Sequence, residues 1–386
     1  MVSTTSMPTN LVSSLITAIP LIALGCATEE VTSTITQQIV DPACAECAKN
    51  GPLVEGSGIG HLGRDHQVND WGVTLVEFWH KDHPALDLRV KVELDQLSAV
   101  DNADSTYVLH GKHLIGGVFV IQTVQGVFYE VRILDVSYRW NYWTNPPIDI
   151  EGYTLSYDGP YVGAYPHPTT PLYPLIPLCP EIDEPWLGEH TMGAAVFEGE
   201  IYHQADLSFQ NTAPGPDGWF TVACAGSATL KQLLTRRTPL ARPFPTGIVD
   251  DAQRRSMLRA WTADYCGSGD SFTITGVPLL VRDGLGTIPT DHRSSWSDAE
   301  AEANEIIYEA VWDERGAVCF NEWRRDQDVP GKPEVHDESA VRKARDRCEE
   351  VGHPLPPCRL LLPTFPTGWQ GLGKVLTALP SEYLKQ

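Results

Sequence analysis

The run Val118–Val136, VFVIQTVQGVFYEVRILDV, constrains the chain more than any other stretch. It is dense in β-branched and aromatic residues, which lose side-chain freedom in a helix and pack well on a pleated surface. Gln125-Gly126 divides it, and glycine accepts the positive φ of a tight reversal, so the run reads as two antiparallel strands and a hairpin. The flanking segments agree. WGVTLVEFW and LDLRVKVEL, before it, alternate apolar and polar residues with the period of a half-buried strand. TYVLHG follows the turn-like DNADS, and EGYTLSYDGPY comes after the long run. Residues 59–160 are therefore expected to form an antiparallel β unit.

The segment from Gly159 to Pro185 carries too many prolines for a central strand or a helix, and is read as a connector over 161–185 ordered by Cys179. In the second half, AAVFEGEIY and WFTVACAG look like strands, and ATLKQLLTRR reads as a short helix. Asp250–Tyr265 is a longer helix candidate with Ala252, Met257, Leu258, Trp261 and Tyr265 on one face and acidic residues at its start. SFTITGVPLLVRDG reads as a hairpin, Ser297–Glu300 as a capping box, YEAVWDERGAVCF as a hairpin turning at Arg315-Gly316, and Asp337–Val351 as a charged helix. The expected fold class is α+β, mostly antiparallel β with a few short helices and stabilised by disulfides. A second domain is expected over 186–330, and a C-terminal helix and tail over 331–386.

The first 25 residues carry no charged side chain, and an apolar run from Leu11 to Ala27, interrupted by Ser13, Ser14, Thr17 and Pro20, fits the core of a secretory signal. It is short for a membrane-spanning helix. Ala23-Leu24-Gly25-Cys26 resembles a bacterial lipobox, which would make Cys26 the lipidated mature N-terminus; cleavage after Ala27 is the alternative. Residues 1–26 are thus read as a signal or lipobox-like segment, and the polar stretch 27–58 as a tether. The expected location is the cell envelope, as an outer-membrane lipoprotein facing periplasm or surface, or the medium. A net charge of −22 repels phosphate backbones, so no nucleic-acid partner is expected. The membrane is expected to be met only through the N-terminal lipid, and the partner to be an envelope or extracellular ligand.

Eight further cysteines, Cys44, Cys47, Cys179, Cys224, Cys266, Cys319, Cys348 and Cys358, are an even set, which in an exported chain points to disulfides. Cys266 is the sharpest case. A helix runs into it, Gly267 follows the helix end, and Asp264 and Asp270 flank it, so a thiolate there would meet the negative helix terminus and like charge. It is read as half of a disulfide, with Cys319 as the suggested partner, and Cys348 with Cys358 as a small closed loop. No catalytic residue is assigned.

No cofactor or metal is expected. Gly58–Gly63 matches G-x-G-x-x-G but lacks the flanking strand and helix of a dinucleotide site. Cys44–Cys47 has no second such pair to complete a zinc site. The pairs His80/His83 and His110/His113, with His61, His66, Asp65 and Asp82 nearby, are three apart, which on a strand sends them to opposite faces. The aromatic residues Tyr138, Trp140, Tyr142, Trp143, Tyr153 and Tyr157, followed by Tyr161 and Tyr165, are the best binding candidates; filling the core of the β unit is their other reading.

ADYCG at Ala263–Gly267 is the signature of the ADYC domain, a bacterial domain of unknown function found in exported proteins and lipoproteins. WFTVACAG, SFTITGVPLLVRDGLG and YEAVWDERGAVCF also resemble that family's blocks, in order. Where the family commonly has a Lys-Cys pair, this chain has Lys231-Gln232. The resemblance implies export and no particular activity. The functional expectation is a surface or periplasmic binding or structural module; a secreted hydrolase using Asp/Glu and His residues from both halves is the alternative.

Overall fold

The computed structural model describes residues 48–50, 59–64, 66–141, 149–162, 171, 174–179, 182–184, 188–191, 193–198, 200–203, 207–211, 218–237, 250–273, 277–286, 288, 295, 306–321 and 345–380. Antiparallel strands dominate them. The larger sheet has 11 strands, running from His61–Gly63 at one edge through Trp219–Cys224, Gly193–Glu198, Asp149–Val162, Val127–Asn141, Gly117–Thr123, Val73–His80, Leu88–Glu93 and Gln96–Asp101 to Val108–His110, with Ile176–Pro177 added to Asp149–Val162. The long hydrophobic run behaves as its composition demands: Val118 to Gln122 pairs with Phe128 to Arg132, and Gly126 turns between them at φ +78.

Alternation sets the faces. In Leu88–Glu93, Leu88, Val90 and Val92 are buried and Arg89, Lys91 and Glu93 are exposed. These strands curl back over the sheet, so that Val90, Val92, Leu97 and Ala99 share one core with Ala194, Val196, Phe220 and Val222. Arg64 fastens the overlap, donating to Val92 O (3.3 Å) and to Glu198 Oε2 (2.8 Å). The hairpin to Gln96–Asp101 turns on Leu94 and Asp95, both at positive φ (52 and 62), a reversal without glycine that the sequence does not advertise.

The sheet continues across the expected connector. Asp149–Val162 runs through Gly159 and Pro160, which fall where the pairing to Val127–Asn141 bulges between Phe128 and Glu130, so the ladder does not need the proline's missing N–H. Cys179 then bonds Cys224 (Cα–Cα 5.3 Å) and ties the connector to the sheet.

The second sheet has five strands in the order Ala48–Asn50, Val277–Asp283, Val375–Pro380, Ile306–Asp313 and Gly316–Phe320. Its central strand, Val375–Pro380, comes from the segment read as a C-terminal tail, and its first from the segment read as a tether. The hairpin expected at SFTITGVPLLVRDG is a single described strand, Val277–Asp283, because its partners come from these distant segments. The hairpin of Ile306–Asp313 with Gly316–Phe320 forms as expected.

Helix α1 (Ala228–Leu234) is capped by Ser227, whose hydroxyl accepts from Leu230 N at 3.1 Å; α2 (Asp251–Thr262) is capped by Asp250, which accepts from Gln253 N at 2.7 Å. Both pack in one core with Ala195, Phe197 and Ala223 of the larger sheet and Leu279, Val281, Trp312 and Val375 of the smaller. Contact on both sides explains why α2 buries Gln253, Arg254 and Ser256 as well as its expected apolar face. The final helix is described only over 345–350, and the capping box at 297–300 lies outside the described residues. Among the described residues no helix is long and apolar enough to cross a membrane.

Candidate functional site

The family-signature segment forms a buried knot. Helix α2 stops at Thr262 because Ala263 turns left-handed (φ 54) and Asp264 N donates back to Arg259 O at 3.0 Å. The helix therefore ends before the cysteine rather than running into it, as the sequence reading had it. The Asp264 carboxylate closes the next turn, accepting from Ser268 N (3.0 Å), Gly269 N (3.3 Å) and Arg259 Nη1. Burial pushes its carboxyl above the ordinary range, against the pull of Arg259 and these amides. The fully buried Tyr265 places its ring 4.9 Å from that of Trp312 and 5.6 Å from that of Phe320, and its hydroxyl donates to Glu309.

The next residues join two backbones. Ala317 N donates to Tyr265 O at 2.9 Å. Gly267 has φ +65, and a Cβ there would lie 1.7 Å from Arg315 O; at Gly316 (φ +139) it would lie 2.6 Å from Tyr265 O. Only glycine at both positions lets the two turns touch. Cys266 bonds Cys348 (Cα–Cα 4.7 Å), and Cys319 bonds Cys358 (4.8 Å). The pairs suggested from sequence, Cys266 with Cys319 and Cys348 with Cys358, are thus corrected. Cys266 and Cys348 belong to the core around α2, whereas Cys319 and Cys358 belong to a separate core with Val311 and Leu376, on the other face of the small sheet. Pleat alternation keeps the two apart. Cys26, Cys44 and Cys47 lie outside the described residues.

A second cluster spans the two longest strands. Glu130 stands opposite Asp158 in the register, and both are fully buried. Arg132 Nη2 donates to Glu130, and its Nε is 3.7 Å from Asp158 Oδ1. Tyr161 donates to Asp158 Oδ2 at 2.6 Å. Burial first, then the charge and hydrogen bond of Asp158, push the Glu130 carboxyl up to about 8. The sequence reading did not single these residues out. The signal was there: Glu130 and Arg132, two apart on a strand otherwise rich in apolar residues, must share a face.

The histidines take separate roles. His80 is buried and uses both ring nitrogens, Nε2 with Ile115 O (3.0 Å) and Nδ1 with Asp82 N (3.2 Å); burial and the charge of His83 lower its pKa. His110 and His113 are exposed, with ring centroids 6.2 Å apart. His61 packs 5.2 Å from Trp219 and 6.4 Å from His203, whose Nδ1 bonds Asp70 Oδ2. Among the described residues no group of three or more His, Cys, Asp or Glu could hold a metal ion. His61–Gly63 is an edge strand, followed by a turn rather than the helix of a dinucleotide site.

Of the aromatic candidates, Tyr153 lies in the core and offers no stacking face: its hydroxyl donates to Glu151 and accepts from Leu97 N at 2.9 Å. Tyr161 is buried, and Tyr157 is half-buried with its ring 6.2 Å from that of Tyr129. Tyr138 and Trp140 fall on Val127–Asn141 with side chains outside the described set; Tyr142, Trp143 and Tyr165 lie outside the described residues altogether. A surface missed from sequence is the sheet end where exposed Val68, Trp71 and Val124 gather around Gly72, whose carbonyl accepts from Val124 N at 2.9 Å.

No curated protein and no solved structure matches the chain. The ADYC domain matches residues 111–326, more than half of the 386 residues, beginning inside the larger sheet and ending just after the Ile306–Phe320 hairpin. With the signature segment Ala263–Gly267 inside that match, the chain belongs to the ADYC domain family.

Proposed function

We propose that the protein is an exported, lipid-anchored envelope component that works as a binding or structural module. One observation carries this reading: all six described cysteines are buried and joined in three disulfides, the state expected in an oxidising compartment. The uncharged N-terminal segment and Ala23-Leu24-Gly25-Cys26 fit export and lipidation at Cys26. The binding role draws on the exposed apolar end formed by Val68, Trp71 and Val124, together with Tyr138, Trp140, Tyr142 and Trp143; the ligand class is an envelope glycan, peptide or protein. Intact mass of the protein isolated from its native cell tests the reading. A diacylglyceryl mass on an N-terminal Cys26 is expected; a chain that retains residues 1–25 and its reduced thiols would overturn it.

One contact favours a second reading, a secreted hydrolase. His203 and Asp70, 133 residues apart and from the two halves of the chain, bond at the surface, as an oriented general base would. Under this reading, hydrolysis of chromogenic ester substrates is lost in His203→Ala; equal turnover by the wild type and the variant would remove it.

A further inference from the structure

Glu130 and Asp158 face each other across the antiparallel pair formed by Val127–Asn141 and Asp149–Val162, the two longest strands of the protein. Their relative exposures are 0% and 1%, so both carboxyls are withdrawn from bulk solvent. Two carboxylates cannot both ionise at contact in a dry site; a proton between them turns repulsion into a hydrogen bond. On the same strand Arg132 touches both carboxyls and lies 6.0 Å from the Trp79 ring. Tyr161 and the buried Ser156 come from the paired strand. Gly117–Thr123 on the other side presents Val118 and Val120, opposite Arg132 and Glu130. Beyond it, Val73–His80 brings Glu77, which is exposed, and His80, whose nitrogens are engaged with Ile115 and Asp82.

We propose that Glu130 and Asp158 hold one proton between them at neutral pH, and that its loss in alkaline solution weakens the pairing of these two strands, so that the larger sheet responds to external pH. Tyr161 donates to Asp158 and Arg132 to Glu130, so each carboxyl has a donor that favours its charge, and the pair shares the proton and titrates as a unit. The direction agrees with the upward displacement of Glu130 to about 8 from an ordinary 4.5. The folded chain keeps a proton that the unfolded chain has already released. The contribution of this pair to stability is therefore full below about pH 4.5, falls as the pH rises through about 8, and is lost above it.

The test uses the full oxidised chain. Infrared spectra should show the carbonyl stretch of a protonated carboxylic acid at about pH 6, lost by about pH 9 and absent at both in Glu130→Gln. Thermal melts of the wild type should fall steadily between these limits. Glu130→Gln should melt higher than the wild type at the alkaline end, with a much shallower slope, and Asp158→Asn should flatten the slope likewise. A wild type without that carbonyl band at about pH 6, or a Glu130→Gln protein that keeps both the band and the full slope, would overturn the proposal. The infrared result on the wild type decides the matter even if a variant does not fold.

Discussion

Among the described residues, the larger sheet carries one disulfide, joining its connector to the strand Trp219–Cys224, whereas the five-stranded sheet is flanked by two, one on each face. The two sheets also differ in their longest strands. Val127–Asn141 and Asp149–Val162 have 15 and 14 residues, and each added rung of a ladder holds the others in register. Strands of the small sheet have 3 to 8 residues and come from segments as far apart as Ala48 and Val375. Bringing such distant pieces together carries a large loop-closure entropy, which covalent links reduce in the unfolded chain. The larger sheet is thus held mainly by pattern, and the five-stranded sheet by cross-links and one backbone-to-backbone contact. The family signature fits this view: Ala263 ends the helix, Asp264 closes the turn, Tyr265 fills the core and Cys266 locks it.

Substitutions in the knot should break this contrast most sharply. Gly267→Ala drives a methyl group into Arg315 O and sets alanine at positive φ, so a loss of about 3 kcal/mol or more is expected by chemical denaturation. The same change at Gly286, also at positive φ but with nothing nearby, should cost only about 1 kcal/mol. Equal losses at both positions would refute the docking role. Replacing Cys266 and Cys348 together by serine should cost about 2–5 kcal/mol, more than replacing Cys179 and Cys224, whose strand is already held by two ladders. The reverse order, by thermal melts, would invert the comparison. Tyr265→Phe deletes the donor to the buried Glu309 and should cost about 1–3 kcal/mol, whereas Ser227→Ala at the α1 cap should cost about 1 kcal/mol.

The same contrast explains what the sequence disclosed. Strand alternation at Leu88–Glu93, the Gln125-Gly126 hairpin and both helix starts were legible, because each is written in adjacent residues. The Leu94-Asp95 turn was not, since leucine is an unusual choice at positive φ and no glycine follows. The central position of Val375–Pro380 was hidden for a different reason: its neighbours lie 63 or more residues away, and no local period reports such pairing. The disulfide partners were misjudged because faces, not proximity along the chain, decide which sulfurs meet. For the site, a disulfide at Cys266 was legible though its partner was not, whereas the aromatic candidate Tyr153 proved to be core, because its strand turns that side inward. The His203–Asp70 pair spans 133 residues and left no sequence signal.

Cys266, the cysteine of the ADYC signature, is a cross-link that fastens the signature turn to the helical segment over 345–350. Mass mapping of peptides from a non-reducing digest of the native protein tests it directly. Peptides joining Cys266 to Cys348 and Cys319 to Cys358 are predicted, with neither sulfur of the first pair open to alkylation. Recovery of Cys266 as an alkylated thiol, or linked to Cys319, would contradict the account.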